Sequence, residues 1–232
     1  MLMEMKAVSA GYYRKRVIHD ISLSVDRSEV VSLIGHNGAG KTTTLKTILG
    51  VIKSVEGEIH FRDRRITGQD PVENVIAGIR FIPQERFTFP DLTVWENIML
   101  GAHHVQQKEK IGKKIGEIYN QFPILKNRLS QKAGTMSGGE QRMLSIAMAI
   151  MAEPQFVMVD EPSLGLAPLI IQEIGRIIRR MADQDMAVLL VDQNIKQTLK
   201  ISNRVYVMKN GQIVLEETSQ KLLDRGEWWD LY

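Results

Sequence analysis

The chain has 232 residues, 44% of them hydrophobic and 25% charged, a composition that belongs to a folded globular protein and excludes a disordered one. Lys plus Arg number 30 against 27 Asp plus Glu, and the net charge of +3 is too small to argue for a nucleic-acid partner. The absence of cysteine removes disulfides, Cys-ligated zinc, iron–sulfur clusters and a thiol nucleophile in one step.

No apolar run approaches the roughly 20 residues that span a bilayer, and the first residues lack the basic flank and long apolar stretch of a signal peptide. A soluble, cytoplasmic chain is expected; if it works at a membrane, something else anchors it. The length suits one large domain with a lobe.

Residues 6–10, 17–25 and 29–34 are rich in Val, Ile, Leu and Ser and read as strands, 41–49 as a helix and 58–61 as another strand. Several strands before the first helix predict an antiparallel β-layer attached to an α/β core. A strand at 79–82 ends in Pro83-Gln84. Residues 85–150 then read as an inserted helical lobe. Thr93 and Glu96, and again Ser137 and Glu140, have the spacing of a capping box. Between them lie a polar helical stretch around 108–120 and the region 123–131.

The last third alternates: an apolar strand at 156–159, a helix at 168–181 with Pro in its first turn, a strand at 187–191 and a helix at 194–201. Strands at 204–208 and 212–216 form a hairpin across Asn210-Gly211. Such alternation implies a parallel sheet covered on both faces. The expected organisation is a single unit, with 1–84 and 151–232 forming the core and 85–150 the lobe.

Gly35-His36-Asn37-Gly38-Ala39-Gly40-Lys41-Thr42 matches the phosphate-loop pattern and sits between a predicted strand and a predicted helix. The glycines let the backbone curl so that its N–H groups point at phosphate oxygens, and the helix N-terminus adds positive potential. Lys41 can reach the β- and γ-phosphates and the Thr42 hydroxyl can ligate Mg²⁺. Candidate nucleotide contacts therefore run from Gly35 through Thr43.

Phe156-Val157-Met158-Val159-Asp160-Glu161 is an apolar strand ending in two carboxylates, which places them at the carboxyl end of the sheet. By itself this is also what a strand running into solvent looks like; beside a phosphate loop it reads as a site. Asp160 would hold Mg²⁺, and Glu161 would polarise the attacking water. Ser137-Gly138-Gly139-Glu140 offers a second helix N-terminus with a hydroxyl, and its paired glycines suggest an end left bare for an anion. One ATP does not need two such sites on one chain, so the second is read as serving a nucleotide held by another copy or a homologue.

These motifs, in this order, resemble the ATP-binding subunit of ABC transporters over essentially the whole chain. The resemblance implies a P-loop NTPase (RecA-like) core with a parallel sheet, an N-terminal antiparallel β-layer and an inserted helical lobe. It implies ATP and Mg²⁺ as ligands and a head-to-tail dimer with a second ATPase subunit, identical or related. Each phosphate loop would then face the opposite Ser137-Gly138-Gly139 segment. Integral membrane permease subunits would dock on the lobe, and a substrate-binding protein would feed them. The chain would be peripheral on the inner face of the cell membrane. Gln84 would contact Mg²⁺ and water and sense the membrane partner, and Tyr12 or its neighbour Tyr13 would stack on adenine, spacing favouring Tyr12.

Two positions depart from the common pattern. Ala167 stands where most of the family has Asp, which puts the cross-talk between the two nucleotides in doubt. Gln193 stands where most have a switch His; Gln can donate to a γ-phosphate but carries no proton charge near neutral pH. Ser163-Leu164-Gly165-Leu166-Ala167-Pro168 with Gln193-Asn194 resembles the shorter ATPase of branched-chain amino-acid importers and their urea or amide relatives, although many of that branch have Glu at the position of Gln84. Lipopolysaccharide transfer or export, and a soluble ABC-type ATPase acting on ribosomes or DNA, are the alternatives. His103-His104 reads as a solvated surface, and Trp228-Trp229 as packing of a terminal helix.

Overall fold

The computed structural model describes residues 1–13, 15–85, 87–103 and 108–225. Two sheets organise them. The first holds β1 (Met3–Tyr12), β2 (Lys15–Val25), β4 (Ser54–Phe61) and the short β5 (Arg64–Arg65), antiparallel in the order β2-β1-β4-β5. The second holds β3 (Val30–Ile34), β6 (Ile79–Ile82), β7 (Phe156–Asp160), β8 (Ala187–Val191), β9 (Arg204–Lys209) and β10 (Gln212–Thr218). Its order is β10-β9-β3-β8-β7-β6, parallel except for the β9–β10 hairpin. Asn210 and Gly211 both have positive φ, 50° and 79°, as the tight two-residue turn between those strands requires.

The central parallel strands β7 and β8 are buried along their length and almost wholly apolar because both faces are covered. On β7, Phe156 and Met158 join the cluster beneath the antiparallel sheet, whereas Val157 and Val159 join the cluster beneath the helices. On β8, Leu189 and Leu190 divide in the same way. Helix α1 (Lys41–Leu49) contributes Leu45, Ile48 and Leu49 to the first cluster and so lies between the sheets.

The opposite face is covered by α3 (Val94–Gly101), α4 (Lys108–Gln121), α5 (Pro123–Lys126), α6 (Gly138–Ile150) and α7 (Pro168–Asp183). Both predicted capping boxes are formed: Thr93 with Glu96 opens α3, and Ser137 with Glu140 opens α6. The 3-10 turn Ala133–Thr135 leads into Ser137. The helices between 85 and 150 share one apolar cluster with the sheet rather than closing a separate core.

Helix α2 (Pro71–Ile76), strand β5 and helix α9 (Ser219–Arg225) are among the elements that the sequence did not announce. Helix α2 is capped by Asp70, whose side chain accepts from Val72 N, with Pro at its first turn. That signal was present; six residues are too few to show a helical period. Strand β5 has two residues and exists only through its pairing with β4. Helix α9 (Ser219–Arg225) follows β10 directly, and α8 (Ile195–Ile201) matches expectation with Asn194 as its cap. His104 and Trp228-Trp229 lie outside the described residues, whereas His103 is exposed.

Candidate nucleotide site

The loop between β3 and α1 is shaped by its glycines. At Gly35 a Cβ would lie 2.2 Å from the Met208 carbonyl, so only glycine allows the loop to leave β3 beside the end of β9. Gly40 has φ 110°, and a Cβ there would meet Ile18 and Met208 side chains at 2.8 Å. Gly40 is also the N-cap of α1 and offers no side-chain cap. The first N–H groups of α1 are thus left to whatever binds there.

The Lys41 ammonium donates to the Gly35 carbonyl at 2.8 Å and the His36 carbonyl at 3.1 Å. Burial pushes its pKa below the ordinary lysine value, opposed by the charges of Glu161 and Asp160. Thr42 Oγ1 donates to Asp160 Oδ2 at 2.7 Å, which ties the start of α1 to the end of β7. Asp160 is only 1% exposed, and burial raises its pKa above the usual carboxylate value, partly offset by the Thr42 hydrogen bond.

The other carboxylate oxygen, Asp160 Oδ1, is buried with no hydrogen-bond partner among the described residues. A buried, unsatisfied anionic oxygen next to a threonine hydroxyl suits a hard cation such as Mg²⁺, which takes one or two protein oxygens and completes its shell with water and phosphate. No group of three His, Asp or Glu able to hold a metal exists among the described residues, so a cation here would depend on the nucleotide for further ligands.

Glu161 sits just past the strand with φ 43°, a left-handed conformation that costs a side-chain-bearing residue of order 1–3 kcal/mol. Its N–H donates to the Val191 carbonyl at 2.7 Å, which holds the strain in place. Gln193 Nε2 donates to Glu161 Oε2 at 2.8 Å and to Asn37 Oδ1 at 3.1 Å. One amide thereby links the loop after β8, the acid after β7 and the phosphate loop.

Asn37, Gly38, Gly40, Lys41, Thr42, Thr43, Gln84, Glu161 and Gln193 line one cavity of about 320 Å³. Asp160 lies beneath it, reached through Thr42, and His36 and Ala39 complete the loop, joined by an Ala39 N–H to His36 carbonyl bond of 3.1 Å. Neither tyrosine lines the cavity: Tyr12 is 44% exposed, and Tyr13 is fully exposed at the β1–β2 turn. Val17 supplies an apolar part of the wall, a residue for which the sequence suggested only a place at the start of a strand. Asp192 was also missed. It accepts from Ser163 Oγ at 2.5 Å, Ser163 N at 3.2 Å and Asn194 N at 2.9 Å, and so clamps the loop after β7 to the loop carrying Gln193. Its position beside Gln193 was the available signal.

Ser137, Gly138, Gly139 and Glu140 stand apart from this cavity. The end of α6 is not bare. Glu140 N donates to Ser137 Oγ at 3.4 Å, and the Glu140 carboxylate accepts from Ser137 N at 2.8 Å and pairs with Arg128 at 3.0 Å. Gly139 is buried, and a Cβ on it would strike Ile170 of α7 at 2.8 Å. The absent side chain therefore serves helix packing, and the expectation that it leaves the helix end open is corrected on that point.

A phosphate loop after β3 and, one strand beyond β8, a buried Asp and a strained Glu at the end of β7 together define a phosphate-loop nucleotide-binding protein with hydrolytic machinery. The family described as ABC transporter matches residues 18–164, and the chain belongs to that family as an ATP-hydrolysing cassette. The high-affinity branched-chain amino acid transport ATP-binding protein BraG of Pseudomonas aeruginosa is 40% identical over 225 residues, 97% of this chain and 96% of the relative. The lipopolysaccharide export system ATP-binding protein LptB of Escherichia coli K12 is 33% identical over 94% of this chain and 91% of its own. The ADP conformation of an ATP-binding cassette of an ABC transporter superposes with a TM-score of 0.87 at 25% identity, covering 100% of this chain and 98% of that one. No helix among the described residues is long and apolar enough to cross a membrane.

Proposed function

We propose that this chain binds ATP with Mg²⁺ in the phosphate-loop cavity, closes head-to-tail on a second ATPase subunit, and hydrolyses the nucleotide to drive import of branched-chain amino acids. Integral membrane permease subunits would carry the substrate, a binding protein would deliver it, and the chain would sit peripherally on the inner membrane face. The observation that carries the chemical part is the convergence of Lys41, Thr42, Glu161 and Gln193 on one cavity, with Asp160 tied in through Thr42.

Lys41 would leave the loop carbonyls for the β- and γ-phosphates and offset charge on the transferring group. Thr42, Asp160 and Gln84 are the residues that would hold Mg²⁺. The bound ion would neutralise phosphate charge as the terminal bond breaks. Glu161 would accept a hydrogen bond from the attacking water and orient it in line, while Gln193, already bonded to Glu161 and Asn37, would keep the carboxylate aimed. Ser137, Gly138, Gly139 and Glu140 would meet the nucleotide held by the opposite subunit.

The substrate rests on the similarity to BraG, which at 40% identity exceeds the 33% to LptB. The similarity to LptB keeps lipopolysaccharide export as the second reading. Reconstitution with permease subunits decides between them. ATP hydrolysis should rise when a binding protein loaded with leucine, isoleucine or valine is added; stimulation only by a lipopolysaccharide-extracting permease would select the second reading.

A further inference from the structure

The parallel pairing of β7 with β8 ends at Asp160 and Val191. Past that point both segments leave the sheet, and Glu161 and Gln193, which line the nucleotide cavity, lie on these departing loops. The Glu161 N–H to Val191 carbonyl bond and the Gln193 to Glu161 side-chain bond join them. So does a carboxylate to which the proposed chemistry gives no role, that of Asp192. It is 4% exposed and forms no ion pair with any described residue. It borders a narrow seam between α7 and α8 with Ile171, Ile174, Ile178 and Leu190, and among the described residues no lysine or arginine lines that seam.

A buried carboxylate is costly unless donors satisfy it. The donors that reach Asp192 come from the two loops: Ser163 Oγ and Asn194 N to Oδ1, and Ser163 N to Oδ2. The bond from Asn194 N closes a turn with Gln193 at its apex. Beyond the apex, Ile195 N donates to the Gln193 carbonyl at 3.0 Å, and Asn194 caps α8 through Gln197 N at 3.3 Å. The Gln193 backbone is thus pinned on both sides, while its exposed side chain reaches Glu161 and Asn37. Ser163, two residues after Glu161, is held by the same carboxylate. Only a group with acceptors and no donor takes all of these bonds; an amide in its place would set N–H against N–H.

We infer that Asp192 is a positioning residue for ATP hydrolysis: by locking Ser163 to the turn at Gln193 it sets the Glu161 carboxylate and the Gln193 amide at a fixed separation. The inference rests on the roles proposed above for Glu161 and Gln193 and adds the group that aligns them. The effect falls on turnover, because a reacting geometry held in advance lowers the barrier, and a loop free to shift loses that gain. Nucleotide affinity draws instead on Lys41 and the phosphate loop, which are tied to β7 through Thr42 and Asp160 and not through Asp192. A carboxylate that merely glued two loops would affect stability without separating turnover from affinity.

The test is steady-state ATP hydrolysis by the full chain, with kcat and KM separated and the thermal midpoint as a control that each variant is folded. Asp192→Asn should lower kcat by about three- to tenfold and leave KM for ATP unchanged. Ser163→Ala should lower kcat in the same sense, and Ser163→Thr, which keeps the hydroxyl, should restore it. Ser163→Ala carries the test if Asp192→Asn does not fold. Because Asp192 acts through Gln193, Gln193→Ala should lower kcat by itself, and adding Asp192→Asn or Ser163→Ala to it should cost less than about twofold more. A wild-type kcat in the tested clamp variant, a raised KM with kcat unchanged, equal losses with and without Gln193, or a wild-type kcat in Gln193→Ala overturns the inference. The reading beneath it is checked separately: undiminished hydrolysis by Glu161→Gln fails the hydrolytic assignment, and the inference with it.

Discussion

Helices α1 and α6 both start beside glycines, yet their N-termini are built in opposite ways. At α1 the cap is Gly40 in a left-handed conformation, with no side chain closing the end. At α6 the cap is Ser137, and its box with Glu140 is completed on both sides. The first arrangement leaves backbone N–H groups for a ligand; the second satisfies two of them internally before any ligand arrives. A Gly-rich helix start is therefore not one kind of site. At Gly40 glycine serves conformation, and at Gly139 it serves the approach of Ile170.

The largest effect that would break this contrast concerns the acid that works on the open end. Glu161→Gln should retain ATP affinity and lower turnover by roughly 10²–10⁴-fold, read as steady-state phosphate release, with an ATP-bound dimer accumulating on a sizing column. Undiminished hydrolysis would remove Glu161 from its role. Lys41→Ala should weaken nucleotide binding by about tenfold or more in a fluorescent-nucleotide titration; unchanged affinity would mean that the lysine only braces its own loop.

Paired glycine variants sharpen the contrast directly. Gly40→Ala should cost of order 1–3 kcal/mol and erase the rise in melting temperature caused by ATP. Gly139→Ala should cost a similar ~1–3 kcal/mol through overpacking, yet the isolated subunit should still be stabilised by ATP. If Gly139→Ala also loses that stabilisation, the two helix ends are not independent. Ser137→Ala should cost about 1 kcal/mol in denaturant unfolding, without changing nucleotide affinity of the isolated subunit.

The smallest effect concerns Gln193. Because its amide does not titrate, hydrolysis should show no step near the histidine range. Gln193→His should introduce one close to pH ~6.5, with the protonated imidazole drawn to Glu161 below that pH and neutral above it. A flat profile in the variant would place residue 193 outside the reacting groups.

Much of this was legible before folding was considered. The phosphate loop, the paired carboxylates and both capping boxes are local signals, because the residues that act together lie within a few positions of each other. The limits of α1 and β8, the hairpin at Asn210-Gly211 and the division into two layers follow from periodicity and turn chemistry. The illegible parts depend on distant residues. Val17 reaches the nucleotide cavity only because the β-layer folds over the phosphate loop. Asp192 and Ser163 meet because β7 and β8 are neighbours in the parallel sheet.

The sequence alone determined that this chain handles a nucleotide, and with which residue types, since backbone curl, lysine, hydroxyl and carboxylate are written in short segments. The tertiary structure decided why each of those segments is shaped as it is. It showed that Gly139 yields to Ile170, that Glu161 is held in a strained conformation by Val191, and that Asp192 clamps the loop after β7 to the loop carrying Gln193. Each of those facts is a contact between residues far apart in the chain, and no local pattern encodes which distant side chain will arrive.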